Sequence, residues 1–133
     1  MLKGVHHVGI VVPSLDEAYR FWCAGLGLKL EKTATLEDQG VRAALLPTES
    51  GEIELLEPLS ADNAVGRFLD RRGGGLHHLC FETDDVAAAL DAARQLGLPL
   101  IDQRPRRGLA GMICFLHPKA CSGVLVEYAQ VIE

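Results

Sequence analysis

The stretch GGGLHHLCFE, residues 73–82, sets two adjacent histidines directly after three glycines, at the head of an apolar segment that reads as a strand. A near copy, VHHVGIVV, residues 5–12, opens the chain. Its β-branched residues favour a strand, and Pro13 stops it. The segments after the two histidine pairs are also alike. After the first, Ser14 and Glu17 form a capping box for a helix over LDEAYRFWCAGLG, closed by Gly25 and Gly27. After the second, Asp84 or Asp85 caps a helix over VAAALDAARQLG. Each half then holds three strand candidates: LKLEKTAT, VRAALLP and EIELLEPL in the first, LPLIDQ, GMICFLHP and GVLVEYAQ in the second. SADNAVGRFLDRR, a short helix, connects the halves. The order β-α-β-β-β therefore occurs twice, which marks an internal duplication. The expected architecture is one α+β domain over 1–133: module one at about 1–58, a linker helix at about 59–74, and module two at about 75–133.

The register of the repeat picks out four residues. His7 and His78, each the second of its pair, stand 71 positions apart, and Glu54 and Glu127, each on the last strand of its module, stand 73 apart. One or two loop insertions account for the difference. Strand side chains alternate between faces, so Glu127 shares a face with Leu125 and Ala129, and Glu54 with Glu52 and Leu56. A carboxylate on such an apolar strand is costly to bury unless it is paired or bound to a cation. Two imidazoles and two carboxylates form an N2O2 donor set suited to a borderline divalent metal, with positions left for solvent or substrate. His6 and His77 are expected to point to the opposite face and to serve structure.

Bulk properties exclude several function classes. The chain has 133 residues, enough for one domain with a real core. Its net charge of −5 offers no general attraction to nucleic acid or an anionic membrane. No apolar run approaches the roughly 20 residues of a membrane span. MLKGVHHVGIVV lacks the parts of a signal peptide. Cys23, Cys80, Cys114 and Cys121 show no CxxC spacing and read as reduced thiols of a cytoplasmic protein. No GxGxxG or Walker pattern occurs.

Across nearly its whole length the chain resembles the vicinal oxygen chelate superfamily of paired βαβββ modules, which includes glyoxalases, bleomycin resistance proteins and dioxygenases. Within it the chain is most similar to the methylmalonyl-CoA epimerases. The resemblance rests on HHVGIVVPSLDEAYRFW, EDQGV, IELLEPL, GGGLHHLCFETDD and FLHPKACSGVLVEYAQ. It implies a cupped mixed sheet of glyoxalase-like fold, and it places the metal ligands on His7, Glu54, His78 and Glu127. Many bacterial epimerases carry Gln at the second ligand; Glu54 makes a His-Glu-His-Glu set that is also glyoxalase-like.

The implied activity is interconversion of (2R)- and (2S)-methylmalonyl-CoA with one divalent ion per chain, Co2+, Ni2+, Mn2+ or Zn2+, stabilising an enolate. Glu127 is then the base on one face. Several epimerases carry a second Glu three positions beyond the glycine of EQGV, where this chain has Ala43, so Glu54 stands in as the other candidate base. Gln39 is either a substrate contact or a turn residue. His117 and Lys119 match the epimerase pattern as acyl-CoA contacts, although a strand-ending turn explains Pro118 equally well. Arg104, Arg106, Arg107 and Lys119 are open both to CoA phosphates and to a solvated loop. The implied partners are an acyl-CoA and a second copy in a homodimer. Alternatives are a glyoxalase I-like lyase acting on a glutathione adduct, an epimerase of another acyl-CoA, or a non-catalytic sequestering protein of the same fold.

Overall fold

The structure is a computed structural model that describes residues 2–109 and 111–132. The described residues form eight strands and three α-helices. They are β1 (Leu2–Val11), α1 (Leu15–Tyr19), β2 (Lys32–Leu36), β3 (Val41–Thr48), β4 (Gly51–Pro58), α2 (Ala64–Arg72), β5 (Gly75–Thr83), α3 (Val86–Gln95), β6 (Arg106–Arg107), β7 (Gly111–Leu116) and β8 (Val126–Val131). The strands hydrogen-bond in the order β2-β3-β4-β1-β5-β8-β7-β6. The sheet is mixed, because β5 and β8 run parallel while β2-β3-β4 and β6-β7-β8 are antiparallel. The α+β class and the doubled strand-helix-strand order thus stand as expected. No helix among the described residues is long and apolar enough to cross a membrane.

The caps sit where the side chains call for them. Ser14 accepts from the Glu17 N–H to start α1, Asn63 accepts from the Gly66 N–H to start α2, and Asp85 accepts from the Ala88 N–H to start α3. The helix expected over residues 15–27 is shorter. After Tyr19 it widens into a π-helical turn, Arg20–Gly25, closed by a bond from the Leu26 N–H to the Phe21 carbonyl. The glycine run has a backbone reason. Gly73 ends α2 in the left-handed region at φ 75°, and Gly74 and Gly75 come next at φ 105°. A Cβ on Gly74 would also stand 2.8 Å from the Val11 carbonyl oxygen.

One expected strand is displaced. LPLIDQ forms only an isolated bridge, Leu100 to Leu116, and the short strand falls at Arg106–Arg107. Pro99 and Pro105 have no N–H to give a ladder. Both Ile101 and Asp102 instead donate to the Phe115 carbonyl, while the Asp102 carboxylate accepts from the Phe115 N–H at 2.8 Å.

The fold divides into two compact units, Met1–His7 with His78–Glu133, and Val8–His77; β1 and β5 each run through both. In the Val8–His77 unit, Val12, Leu15, Ala44, Leu46 and Leu55 form the core under α1, and Trp22 and Ile53 pack against it. In the other unit Val86, Leu90, Ala93, Cys114 and Leu116 form the core under α3, joined by Val126 and Tyr128. Cys80, Ile113, Phe115 and Ala129 make a separate apolar cluster, with Leu125 against it. All four cysteines are free thiols.

Candidate metal centre

Strand alternation decides where the carboxylates go. Val126 and Tyr128 pack toward α3, so Glu127 between them faces the side of Leu125 and Ala129. In the other unit Ile53 and Leu55 pack toward α1, so Glu54 faces away from that helix. Both carboxylates are nonetheless buried. Among the described residues, the buried polar or charged side chains are His7, Glu54, His78, Thr83 and Glu127. Four of those five are the residues selected by the duplication. Three of those, His7, His78 and Glu127, belong to one unit and are among the residues that could hold a metal ion.

Three of the four meet within the unit formed by Met1–His7 and His78–Glu133. The His7 Nε2 and His78 Nε2 atoms lie 3.0 Å apart, and Glu127 Oε1 lies 3.0 Å from each of them. The residues are 2%, 5% and 4% exposed respectively. The two rings stand nearly perpendicular, at 86°. The Phe115 ring meets His78 edge-on with centroids 5.7 Å apart and walls the site on that side.

Binding a cation would suit this arrangement better than hydrogen bonding does. Glu127 Oε1 is buried and accepts no hydrogen bond of proper geometry, despite two ring nitrogens at bonding distance. Three donor atoms therefore crowd round one point. Ligand atoms about 2.1 Å from a common ion stand about 3.0–3.4 Å apart. The three atoms are close enough together for one ion to touch all of them. The carboxyl group is held ready for that role. Burial pushes its pKa up, but the imidazoles of His7 and His78 more than offset this and keep it below the ordinary carboxylate value of 4.5.

The remaining predicted residues have surroundings of their own. Gln39 lies in the turn between β2 and β3, and its Nε2 is buried without a hydrogen-bond partner. His117 caps the 3-10 turn Pro118–Ala120, its Nδ1 accepting from the Lys119 N–H at 3.1 Å, and the Lys119 side chain is exposed. Arg106 is tied down, with Nε 3.2 Å from the Asp102 carboxylate and its guanidinium 5.6 Å from the Phe115 ring centroid. Arg104 and Arg107 are exposed. Ala43 is fully buried opposite Leu56 and carries no group able to move a proton. His77 packs edge-on against Phe68, as a structural residue would. His6 does not behave as its twin does: its Nδ1 lies 2.8 Å from the His7 Nδ1. The doubled histidine was the only sequence signal of this contact.

Comparison with known proteins adds to this geometry. Residues 6–115 match the family model of the Glyoxalase/Bleomycin resistance protein/Dioxygenase superfamily. The chain is 39% identical over 130 residues to the uncharacterized protein YqjC of Bacillus subtilis, covering 97% of this chain and 93% of that one. An ethylmalonyl-CoA/methylmalonyl-CoA epimerase of Cereibacter sphaeroides is 34% identical over 134 residues, covering 98% of this chain and 100% of that one. Among solved structures, a methylmalonyl-CoA epimerase in complex with methylmalonyl-CoA and NH4+ matches with a TM-score of 0.93 and 39% identity, covering 98% of this chain and 96% of that one.

Proposed function

This chain belongs to the Glyoxalase/Bleomycin resistance protein/Dioxygenase superfamily, and from that premise we propose that it is a metal-dependent epimerase of methylmalonyl-CoA. The observation that carries the reading is the buried triangle of His7, His78 and Glu127 with its unsatisfied carboxylate oxygen. We assign His7, His78 and Glu127 as ligands of one divalent ion, Co2+, Ni2+, Mn2+ or Zn2+. Glu54, the duplicated counterpart of Glu127, is the fourth.

When bound, such an ion supplies a Lewis acid that stabilises negative charge developing on the thioester oxygen. The chain's own residues do the rest. The imidazoles of His7 and His78 would hold the ion through their Nε2 atoms and orient it beside Glu127. Glu127 takes the proton from the carbon alpha to the thioester, its carboxylate being ionised at neutral pH. Inversion requires that a proton return to the other face of that carbon, and Glu54 is the candidate donor because Ala43 offers none. Gln39, with a buried N–H2 group lacking a partner, and His117 and Lys119 at the end of β7 are the proposed acyl-CoA contacts. The working form is proposed as a homodimer in the cytoplasm.

The test is alpha-deuterium incorporation from D2O into methylmalonyl-CoA by metal-loaded wild type, Glu127→Gln and Glu54→Gln. Exchange by wild type and its loss in Glu127→Gln are expected. If Glu54→Gln stops inversion while one-sided exchange continues, Glu54 is the second acid-base group. Absence of exchange by loaded wild type rejects the activity. A second reading, a glyoxalase I-like lyase, draws on the His-Glu-His-Glu donor set and on Ala43. It predicts turnover of a glutathione adduct in place of acyl-CoA exchange.

A further inference from the structure

Resting on the metal-site reading above, we propose that His6 is a positioning residue: it accepts the Nδ1–H of His7 and thereby turns the His7 Nε2 lone pair into the metal site. The His6 Nδ1 and His7 Nδ1 atoms are 2.8 Å apart, and the two rings stand at 82° to each other. One of these nitrogens must carry the proton. The far side of the His7 ring decides which, since Nε2 lies 3.0 Å from both His78 Nε2 and Glu127 Oε1. A ring that gives an ion the lone pair of Nε2 keeps its proton on Nδ1, so His7 donates and His6 accepts. The doubled histidine is thus a ligand preceded in the chain by the group that sets its tautomer. In the second pair, the His77 ring packs edge-on against Phe68.

His6, His7 and Cys80 also form a group whose donor atoms lie close together. Cys80 is fully buried, and its thiol lies 3.8 Å from the Phe81 carbonyl as a weak donor, which suits a protonated sulfur better than a thiolate ligand. A second ion at this trio is therefore an outcome the experiment must be able to see.

The experiment is a cobalt(II) titration of wild type, His6→Phe, His6→Asn and His6→Gln against a competing chelator, with the electronic and proton NMR spectra followed in each. An Asn amide oxygen can take the place of Nδ1; a Gln amide reaches past it. Wild type and His6→Asn are expected to bind one equivalent with similar affinity. His6→Phe and His6→Gln are expected to bind about 10- to 100-fold more weakly. The paramagnetically shifted, exchangeable His7 Nδ1–H resonance should persist in wild type and His6→Asn and be lost by solvent exchange in His6→Phe. Equal affinity of all four proteins overturns the assignment of His6 while leaving the metal site standing. So does a second equivalent of cobalt with a thiolate charge-transfer band. Failure of wild type to bind cobalt overturns both.

Discussion

Loading the site with a divalent ion is expected to raise the melting temperature by about 10 °C, and Glu127→Gln to erase most of that rise. An ion that binds only the folded chain, present at about 100 times its dissociation constant, stabilises it by about 2.7 kcal/mol. Unfolding entropy of about 2.1 cal/mol/K per residue gives about 0.28 kcal/mol/K for a chain of 133 residues, so the gain corresponds to about 10 °C. Glu127 supplies the charge in the triangle and its unsatisfied oxygen. Replacing that oxygen with a neutral amide should weaken binding by about 100-fold, leaving about 0.4 kcal/mol, or about 1–2 °C, at the same ion concentration. Calorimetric or circular-dichroism melts of chelator-treated and cobalt-loaded protein read the effect directly. A wild-type melt that ignores cobalt, or a Glu127→Gln variant that gains as much as wild type, would refute the reasoning.

Three further outcomes rest on particular residues. The folded-state pKa of the Glu127 carboxyl lies below its ordinary value of 4.5, so its contribution to stability is complete above that pH and is lost as pH falls through the folded value. The deficit of metal-free Glu127→Gln against wild type in urea titrations should therefore shrink below about pH 4.5; a deficit that does not change with pH counts against it. Gly74→Ala forces a Cβ onto a backbone at φ 105° and against the Val11 carbonyl, and should cost about 1–3 kcal/mol by denaturant melts, where a neutral result would contradict the local geometry. Burial, with smaller contributions from Asp102 and Glu127, pushes the Cys114 thiol up to about 12, so iodoacetamide at about pH 8 should leave it unmodified until the chain unfolds. Mass spectrometry showing early alkylation of Cys114 would go against this.

Much of the fold was legible because its signals are local. Ser14, Asp85 and the glycine run each mark an element end through their own hydrogen bonds or φ angles. The alternation around Glu127 was legible for the same reason: a two-residue period needs only the strand itself, and Ala129 is fully buried beside it. The duplication supplied what alternation could not, namely a reason to single out His7, Glu54, His78 and Glu127, all of which are buried. The illegible features depended on where side chains settle, which spacing does not encode. LPLIDQ has a strand's composition, yet the Asp102 side chain takes the place of a ladder bond to Phe115. His6 was expected on the opposite face from His7. Strand period fixes the direction of Cβ, but the ring swings about two further torsions and reaches its neighbour's Nδ1. The buried, unpartnered Nε2 of Gln39 likewise depends on how a turn packs, which no spacing encodes.

The most direct measurement is anomalous diffraction from crystals grown with cobalt(II). The account predicts one strong peak about 2.1 Å from His7 Nε2, His78 Nε2 and Glu127 Oε1, with Glu54 in the same coordination sphere. Cobalt found only on surface carboxylates, with those two imidazoles and that carboxylate left bare, would contradict it.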